Sequence, residues 1–214
     1  MRILVLGGDG YLGWPTAMHF SAQGHDVAIA DNLIKRFWEA QMGVAPLFPI
    51  LPPQERVRRW ESATGKKIRC FITDVAENHL ALKNVFSEFR PEAIIHYAEQ
   101  PSAPFSMSGR AKAIETQRNN ILGTLNVLFA MHALAPNAHL VKLGTMGEYG
   151  TPNVKIREGW FTLRDEGGNE DVLPFPKLPA SYYHASKVAD SVNIEFACRA
   201  WKIAATDLNQ GVVY

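Results

Sequence analysis

Residues 2–13, Arg2-Ile3-Leu4-Val5-Leu6-Gly7-Gly8-Asp9-Gly10-Tyr11-Leu12-Gly13, join a short apolar run to a Gly-x-x-Gly-x-x-Gly turn. With Gly 16 in 214 residues, about 0.09 such patterns arise by chance, so spacing alone carries little. A second copy, Gly144, Gly147 and Gly150, runs into Pro152 and Asn153 rather than a helix. Setting separates the two: the first copy follows a strand pattern and opens a helical one, Tyr11–Gln23. Glycines there permit a tight turn, and a helix start offers free amides and the positive end of its dipole to a pyrophosphate. Gly7, Gly10 and Gly13, with Tyr11 and Leu12 between them, form a candidate dinucleotide cradle.

Working outward, five more apolar runs read as strands: Asp26–Ala30, Ile68–Thr73, Ala93–Tyr97, His139–Leu143 and Ile203–Leu208. Helical patterns fall between them, at Gln54–Ala63, Glu77–Phe89, Ala111–Ala133 and Ser181–Trp201. Alternating strand and helix, with strands apolar throughout, predicts a parallel sheet covered on both faces, a doubly wound Rossmann α/β fold. One such domain is expected over 1–214, with Gly/Pro-rich insertions near 43–53 and 147–180. The basic run Arg56, Arg58, Arg59, Lys66 and Lys67 reads as a solvated helix face.

Composition narrows the partners. Hydrophobic residues make up 47% and charged residues 20%, as in an ordinary globular protein. Lys+Arg 22 against Asp+Glu 21 leaves a net charge of +1, too little for a nucleic-acid partner. Cys70 and Cys198 are too few for a disulfide framework or zinc site, so a reducing, cytoplasmic setting and no metal are expected. The first apolar run is too short for a signal-peptide core or membrane span.

Asp31 follows Gly13 by 18 residues, at the end of the second strand. A carboxylate there can accept both ribose hydroxyls and would repel a 2′-phosphate, which favours NAD over NADP, although Lys35 and Arg36 soften that repulsion. Asp31 also reads as a helix N-cap. Asp74 and Val75, after the third strand, fit either an adenine bracket or a plain turn. Tyr183 and Lys187, in Tyr183-His184-Ala185-Ser186-Lys187, stand one helical turn apart and can touch one ligand. An ammonium beside a phenol favours the phenolate, which can take a proton from an alcohol while hydride leaves the same carbon. Thr145, ending the fifth strand, is placed to hold that alcohol.

With the glycine turn, Asp31, Thr145, Tyr183 and Lys187 in this order, the chain resembles the extended short-chain dehydrogenase/reductase superfamily along its whole length. Longer strings, among them Ser102-Ala103-Pro104, Asn119-Asn120, Lys142-Leu143-Gly144-Thr145-Met146-Gly147-Glu148-Tyr149-Gly150 and Thr206–Tyr214, are similar to a branch that acts on UDP-glucose and sulfite. The resemblance implies NAD as cofactor and oxidation at the sugar 4-position with Tyr183 as base. Loss of water across the 5- and 6-positions, addition of sulfite and return of the hydride would follow. Thr145 would bond the 4-oxygen, and Lys187 the cofactor ribose. Asn32, Arg36, Tyr97, Ala98, Asn119 and Gln210 would line the cofactor, with Asn119 and Asn120 not separable by sequence; Glu99 and Gln100 would meet substrate.

The elimination requires a second acid/base. Superfamily dehydratases carry Asp-Glu after the threonine, but Met146-Gly147 stand here, which leaves His184, the preferred candidate, and Glu148. Pro101 occupies a position where the branch has an arginine, which opens the nature of the nucleophile. Family members also continue past the equivalent of Tyr214, the residue that closes the last recognisable strand, into a substrate domain; that domain is expected to be missing. The chain is therefore expected to bind NAD but turn over poorly. A UDP-sugar 4-epimerase and a non-catalytic NAD-binding module are the competing readings. The resemblance further implies a homodimer through Ala111–Ala133 and Ser181–Trp201.

Overall fold

The strand at the chain's start is buried on both faces. Its side chains alternate between two cores: Leu4 and Leu6 pack with Leu82, Phe86, Leu128 and Met131, while Ile3 and Val5 pack with Ala17, Val27, Ile29 and Ile68. A strand with helices on both sides has this signature. The computed structural model describes residues 1–157, 159–211 and 213. In chain order the elements are β1 (Arg2–Leu6), α1 (Gly13–Ala22), β2 (Asp26–Asp31), α2 (Ile34–Gln41), α3 (Pro53–Thr64), β3 (Ile68–Ile72), α4 (His79–Phe89) and β4 (Ala93–His96). Then come α5 (Ala103–Met107), α6 (Arg110–Leu134), β5 (His139–Leu143), a 3-10 turn (Met146–Tyr149), β6 (Trp160–Arg164), β7 (Glu170–Pro174), α7 (Tyr182–Trp201) and β8 (Ala204–Leu208).

Six strands form one parallel sheet in the order β3-β2-β1-β4-β5-β8. The order reverses between β1 and β4, so the crevice outside their C-terminal ends is where a doubly wound sheet takes a ligand. Helix ends follow local chemistry. Asn78 accepts the Ala81 N–H to start α4, Pro53 opens α3 at a position where a missing N–H costs nothing, and Gly65 closes it in the left-handed conformation.

All six expected strands and five expected helices are present, with ends shifted by one or two residues. Two short helices are additional: α2 starts after Leu33 at φ 62, and α5 after Ser102, which caps it. The 43–53 insertion is non-helical until α3 begins at Pro53. Within 147–180 the chain builds the antiparallel hairpin β6–β7, closed by Asp165, whose Oδ1 accepts the Asn169 N–H at 2.8 Å. Tyr214, expected to close the last strand, and Val212 of the same string lie outside the described residues. No helix among the described residues is long and apolar enough to cross a membrane.

Phe86 is fully buried in the larger core, whereas Leu163 on the hairpin is half exposed. Phe86→Ala is expected to cost about 3–5 kcal/mol and Leu163→Ala less than about 0.5 kcal/mol. Urea unfolding at unchanged slope measures both, and equal losses would mean that the hairpin belongs to the cooperative core.

Candidate active site

Gly7 leaves β1 at φ +82, and a Cβ on it would stand 2.7 Å from the Tyr97 carbonyl carbon. The turn is held by Gly7 N–H on the Ala30 carbonyl at 2.8 Å and Gly10 N–H on the Gly7 carbonyl at 3.1 Å. A Cβ on Gly13 would overlap the Gly7 carbonyl, so α1 can start this close to the strand only with glycine there. No described side chain caps α1; the Trp14 N–H bonds the Gly10 carbonyl at 3.3 Å and Pro15 carries no N–H, so the Leu12 and Gly13 amides are the ones left for an anion among the described residues. Asp31, at the end of β2, accepts the Asp9 N–H at 2.9 Å and the Leu33 N–H at 2.7 Å. Burial raises its pKa, and those two amides act against the rise.

From the other end, α7 starts behind Ser181, whose Oγ accepts the His184 N–H at 3.2 Å. This start sets Tyr183 and Lys187 toward the C-terminal ends of β4 and β5. The Lys187 Nζ lies 5.6 Å from the Tyr183 ring centroid, donates to the Leu143 carbonyl at 2.7 Å and pairs with the Glu99 carboxylate. Burial lowers the Lys187 pKa to about 8, with Asp190 and Asp207 opposing. Behind it sits fully buried Lys142, 3.5 Å from Asp190 Oδ2 and 3.8 Å from Asp207 Oδ1. Sequence reasoning credits Lys187 with favouring the Tyr183 phenolate. In the structure, burial raises the phenol pKa and the cation pulling it back is Lys142.

Both ends open into a single cleft of about 450 Å³. Its lining includes Gly7, Gly10, Tyr11, Leu12, Gly13, Asp31, Asn32, Val75, Tyr97, Ala98, Glu99, Asn119, Tyr183, Lys187 and Gln210, so most of the expected site converges. Six expected residues have other engagements and do not line it. Thr145 Oγ1 accepts the Gly147 N–H at 3.2 Å. Glu148 is buried, with one oxygen on Lys177 and Ser191 and the other facing the Thr145 N–H at 3.5 Å. His184 rests on Gly147, with its Nδ1 3.1 Å from Ser181 Oγ. Gln100 is buried and accepts the Ser102 N–H. Asp74 accepts the Ala76 and Glu77 N–H groups and the Asn32 amide, the turn role. Arg36 turns onto Asp9.

The asparagine doublet separates cleanly. Asn119 lines the cleft, while buried Asn120 accepts the Gln100 N–H at 2.8 Å and donates to Ser186 Oγ at 2.9 Å, joining the loop after β4 to α7. Sequence reasoning missed Asp9, Trp38 and Leu143 in the lining, and the Lys142–Asp190 pair. A lysine inside the strand pattern His139-Leu140-Val141-Lys142-Leu143 was the available signal, because a buried ammonium needs an anion nearby.

Comparison with known proteins places this site in context. The profile described as "NAD dependent epimerase/dehydratase family" matches residues 3–214. The chain is 52% identical over 213 residues to the chloroplastic UDP-sulfoquinovose synthase of Spinacia oleracea, covering 100% of this chain and 44% of that protein. It is 39% identical over 214 residues to the UDP-sulfoquinovose synthase of Sulfolobus acidocaldarius, covering 100% and 54% respectively. The fold is similar to that of UDP-glucose 4-epimerase from Bifidobacterium longum in complex with NAD+ and UDP, at TM-score 0.71 and 22% identity, covering 98% of this chain and 52% of that one. The chain spans about half the length of the curated relatives it matches.

The burial of Tyr183 yields a titration test. In the protein without dinucleotide, the absorbance change lost in Tyr183→Phe is expected to lie above pH 10, the ordinary phenol value. Ionisation of Tyr183 below pH 10 would contradict this account of its surroundings.

Proposed function

Because the chain belongs to the NAD dependent epimerase/dehydratase family, we propose that it binds NAD and acts on UDP-glucose, adding sulfite to give UDP-sulfoquinovose through a 4-keto sugar. The supporting observation is the cleft that takes in the glycine turn at one end and Tyr183 with Lys187 at the other. The residues present fit a dinucleotide. The Leu12 and Gly13 amides at the start of α1, lining the cleft, and the Asp31 carboxylate suit a diphosphate and a ribose in turn. NAD, when bound, supplies a hydride acceptor and a positive charge that favours the Tyr183 phenolate.

In this reading the amides at the start of α1 hold the diphosphate, Asp31 accepts from one ribose, and Lys187 turns from Glu99 to the other. Tyr183 takes the proton of the sugar 4-hydroxyl and later returns it. A ketone at the 4-position acidifies the 5-position. His184, next to Tyr183 in sequence and held at Nδ1 by Ser181, is the base we assign there; it lies outside the cleft lining, so its ring must turn from Gly147 to reach the sugar. Glu148 is held by Lys177, Ser191 and the Thr145 amide, which suits support rather than proton transfer. Pro101 lines the cleft in place of the expected arginine, so Lys35 and Lys187 are the lining cations left to draw an anionic nucleophile.

We also read the chain as a homodimer in a reducing compartment. Ile114, Leu122 and Phe129 on α6 and Val192 and Phe196 on α7 are exposed, which supports pairing of these helices between copies. Cys70 and Cys198 are free thiols, and burial raises both pKa values.

Incubation with NAD, UDP-glucose and sulfite, followed by mass spectrometry, tests the reaction by product identity: a sulfonated UDP-hexose is expected, and UDP-galactose in its place would assign a 4-epimerase instead. Tyr183→Phe is expected to lower turnover roughly 100- to 10,000-fold while NAD binding persists; a variant as active as the wild type would remove Tyr183 from the chemistry. Sedimentation velocity tests assembly. The wild type should run as a dimer and Phe129→Glu as a monomer, whereas a monomeric wild type refutes the pairing.

A further inference from the structure

Asp9 stands inside the glycine turn and lines both the cleft and the neighbouring pocket beneath the 43–53 insertion. Its side chain is 7% exposed and answers two guanidiniums at once. Arg36 donates to its carboxylate through Nε at 2.6 Å and Nη2 at 2.9 Å, and Arg56 reaches the same carboxylate through Nη2. The other Arg36 donors are also engaged, whereas Arg56 is held through Nη2. Arg36 bonds the carbonyls of Ile50 at 3.0 Å and Leu51 at 2.9 Å, and Arg56 bonds the Asp9 carbonyl at 3.1 Å and lies 4.7 Å over the Trp14 ring. Arg56 Nε is buried with no hydrogen-bond partner among the described residues. The Asp9 N–H, in turn, is bonded to Asp31, the carboxylate at the ribose position.

Two cations thus lie beside the ribose end of the cleft and face a single buried anion rather than the cleft. We propose that Asp9 sets the choice between a dinucleotide with a free ribose 2′-hydroxyl and one with a 2′-phosphate, by holding Arg36 and Arg56 away from the phosphate. A 2′-phosphate carries close to two negative charges near neutral pH and would meet the Asp31 carboxylate, which accepts only backbone amides. The Arg36 fork that could bind it in the two-pronged manner arginine favours is already used, and Arg56 is held to Asp9 through Nη2. A free hydroxyl meets no such repulsion and donates to Asp31. The exclusion therefore rests on the Asp31 carboxylate and on an arginine pair whose donors Asp9 holds away from the cleft, where sequence alone credits Asp31. Replacing Asp9 by asparagine keeps the shape and removes the charge, which frees the arginines for an incoming phosphate.

This inference rests on the NAD reading, and the experiment separates the two. Binding of NAD and NADP is measured by quenching of tryptophan fluorescence, with Trp38 lining the cleft. The wild type is expected to prefer NAD. Asp9→Asn is expected to tighten NADP by about tenfold or more, the worth of one recovered charge-assisted hydrogen bond, and Arg36→Gln in that background should remove the gain. Asp9→Ser serves as a second variant should Asp9→Asn fail to fold, with thermal melting as the check on both. A ratio of NADP to NAD affinity that stays at the wild-type value in a folded variant overturns the role of Asp9 alone. A wild type that binds neither dinucleotide overturns the NAD reading and this inference with it.

Discussion

The site depends on how closely two pieces of backbone can pass. At the end of β1 the Gly7 α-carbon faces the Tyr97–Ala98 peptide, and any Cβ there would stand 2.7–2.8 Å from its atoms. With that contact made, β1 and β4 stay paired to their last residues, Leu6 opposite His96, and both chains turn away together at the point where the strand order reverses. The cleft is the space between those two departures. Gly13 then lets α1 start against the Gly7 carbonyl, so the amides at the helix end lie at the floor of that space.

Burial governs the other end. Lys142, Asp190 and His96 are fully buried, and Lys187 nearly so. Removing such groups from water disfavours their charged forms: Asp190 rises to about 6, while His96 falls to about 3 under burial and the Lys187 and Lys142 charges. The Lys142–Asp190 and Lys187–Glu99 pairs offset part of that cost. Tyr183 is held neutral by burial against the pull of Lys142. In our reading its ionisation waits for the positive charge that arrives with the dinucleotide, a form of gating that keeps a base out of an empty cleft.

What could be read from the sequence was local. The unbroken apolar run of β1 and the glycine turn are written in adjacent residues, and both were legible. The pairing of Lys187 with Glu99 joins α7 to the end of β4 across some ninety residues, and no spacing rule reaches that far. Asn119 and Asn120 differ by about 100° around a helix, which only the packing of α6 against α7 converts into one cleft residue and one buried tie. The short helix α2 escaped because it begins from a left-handed Leu33, a conformation leucine does not advertise. The β6–β7 hairpin escaped because prolines on either side suggested a loop, although Gly168 in a five-residue turn between extended runs was a usable sign.

Met146-Gly147, standing where the resemblance implies Asp-Glu, have a steric setting of their own. A Cβ on Gly147 would overlap the His184 imidazole, so the glycine and the histidine occupy each other's space. A side chain at 147 would move the ring off Ser181, which now fixes its Nδ1. Thr145 and Glu148 brace the same turn reciprocally, with Thr145 Oγ1 on the Gly147 amide and Glu148 on the Thr145 amide. The imidazole of α7 and the absent side chain at 147 are therefore coupled in space. In our proposal the second proton-transfer group therefore comes from the helix, one residue from Tyr183. A base next to Tyr183 in sequence inherits the same helix start at Ser181, so the position of both groups is set by one cap.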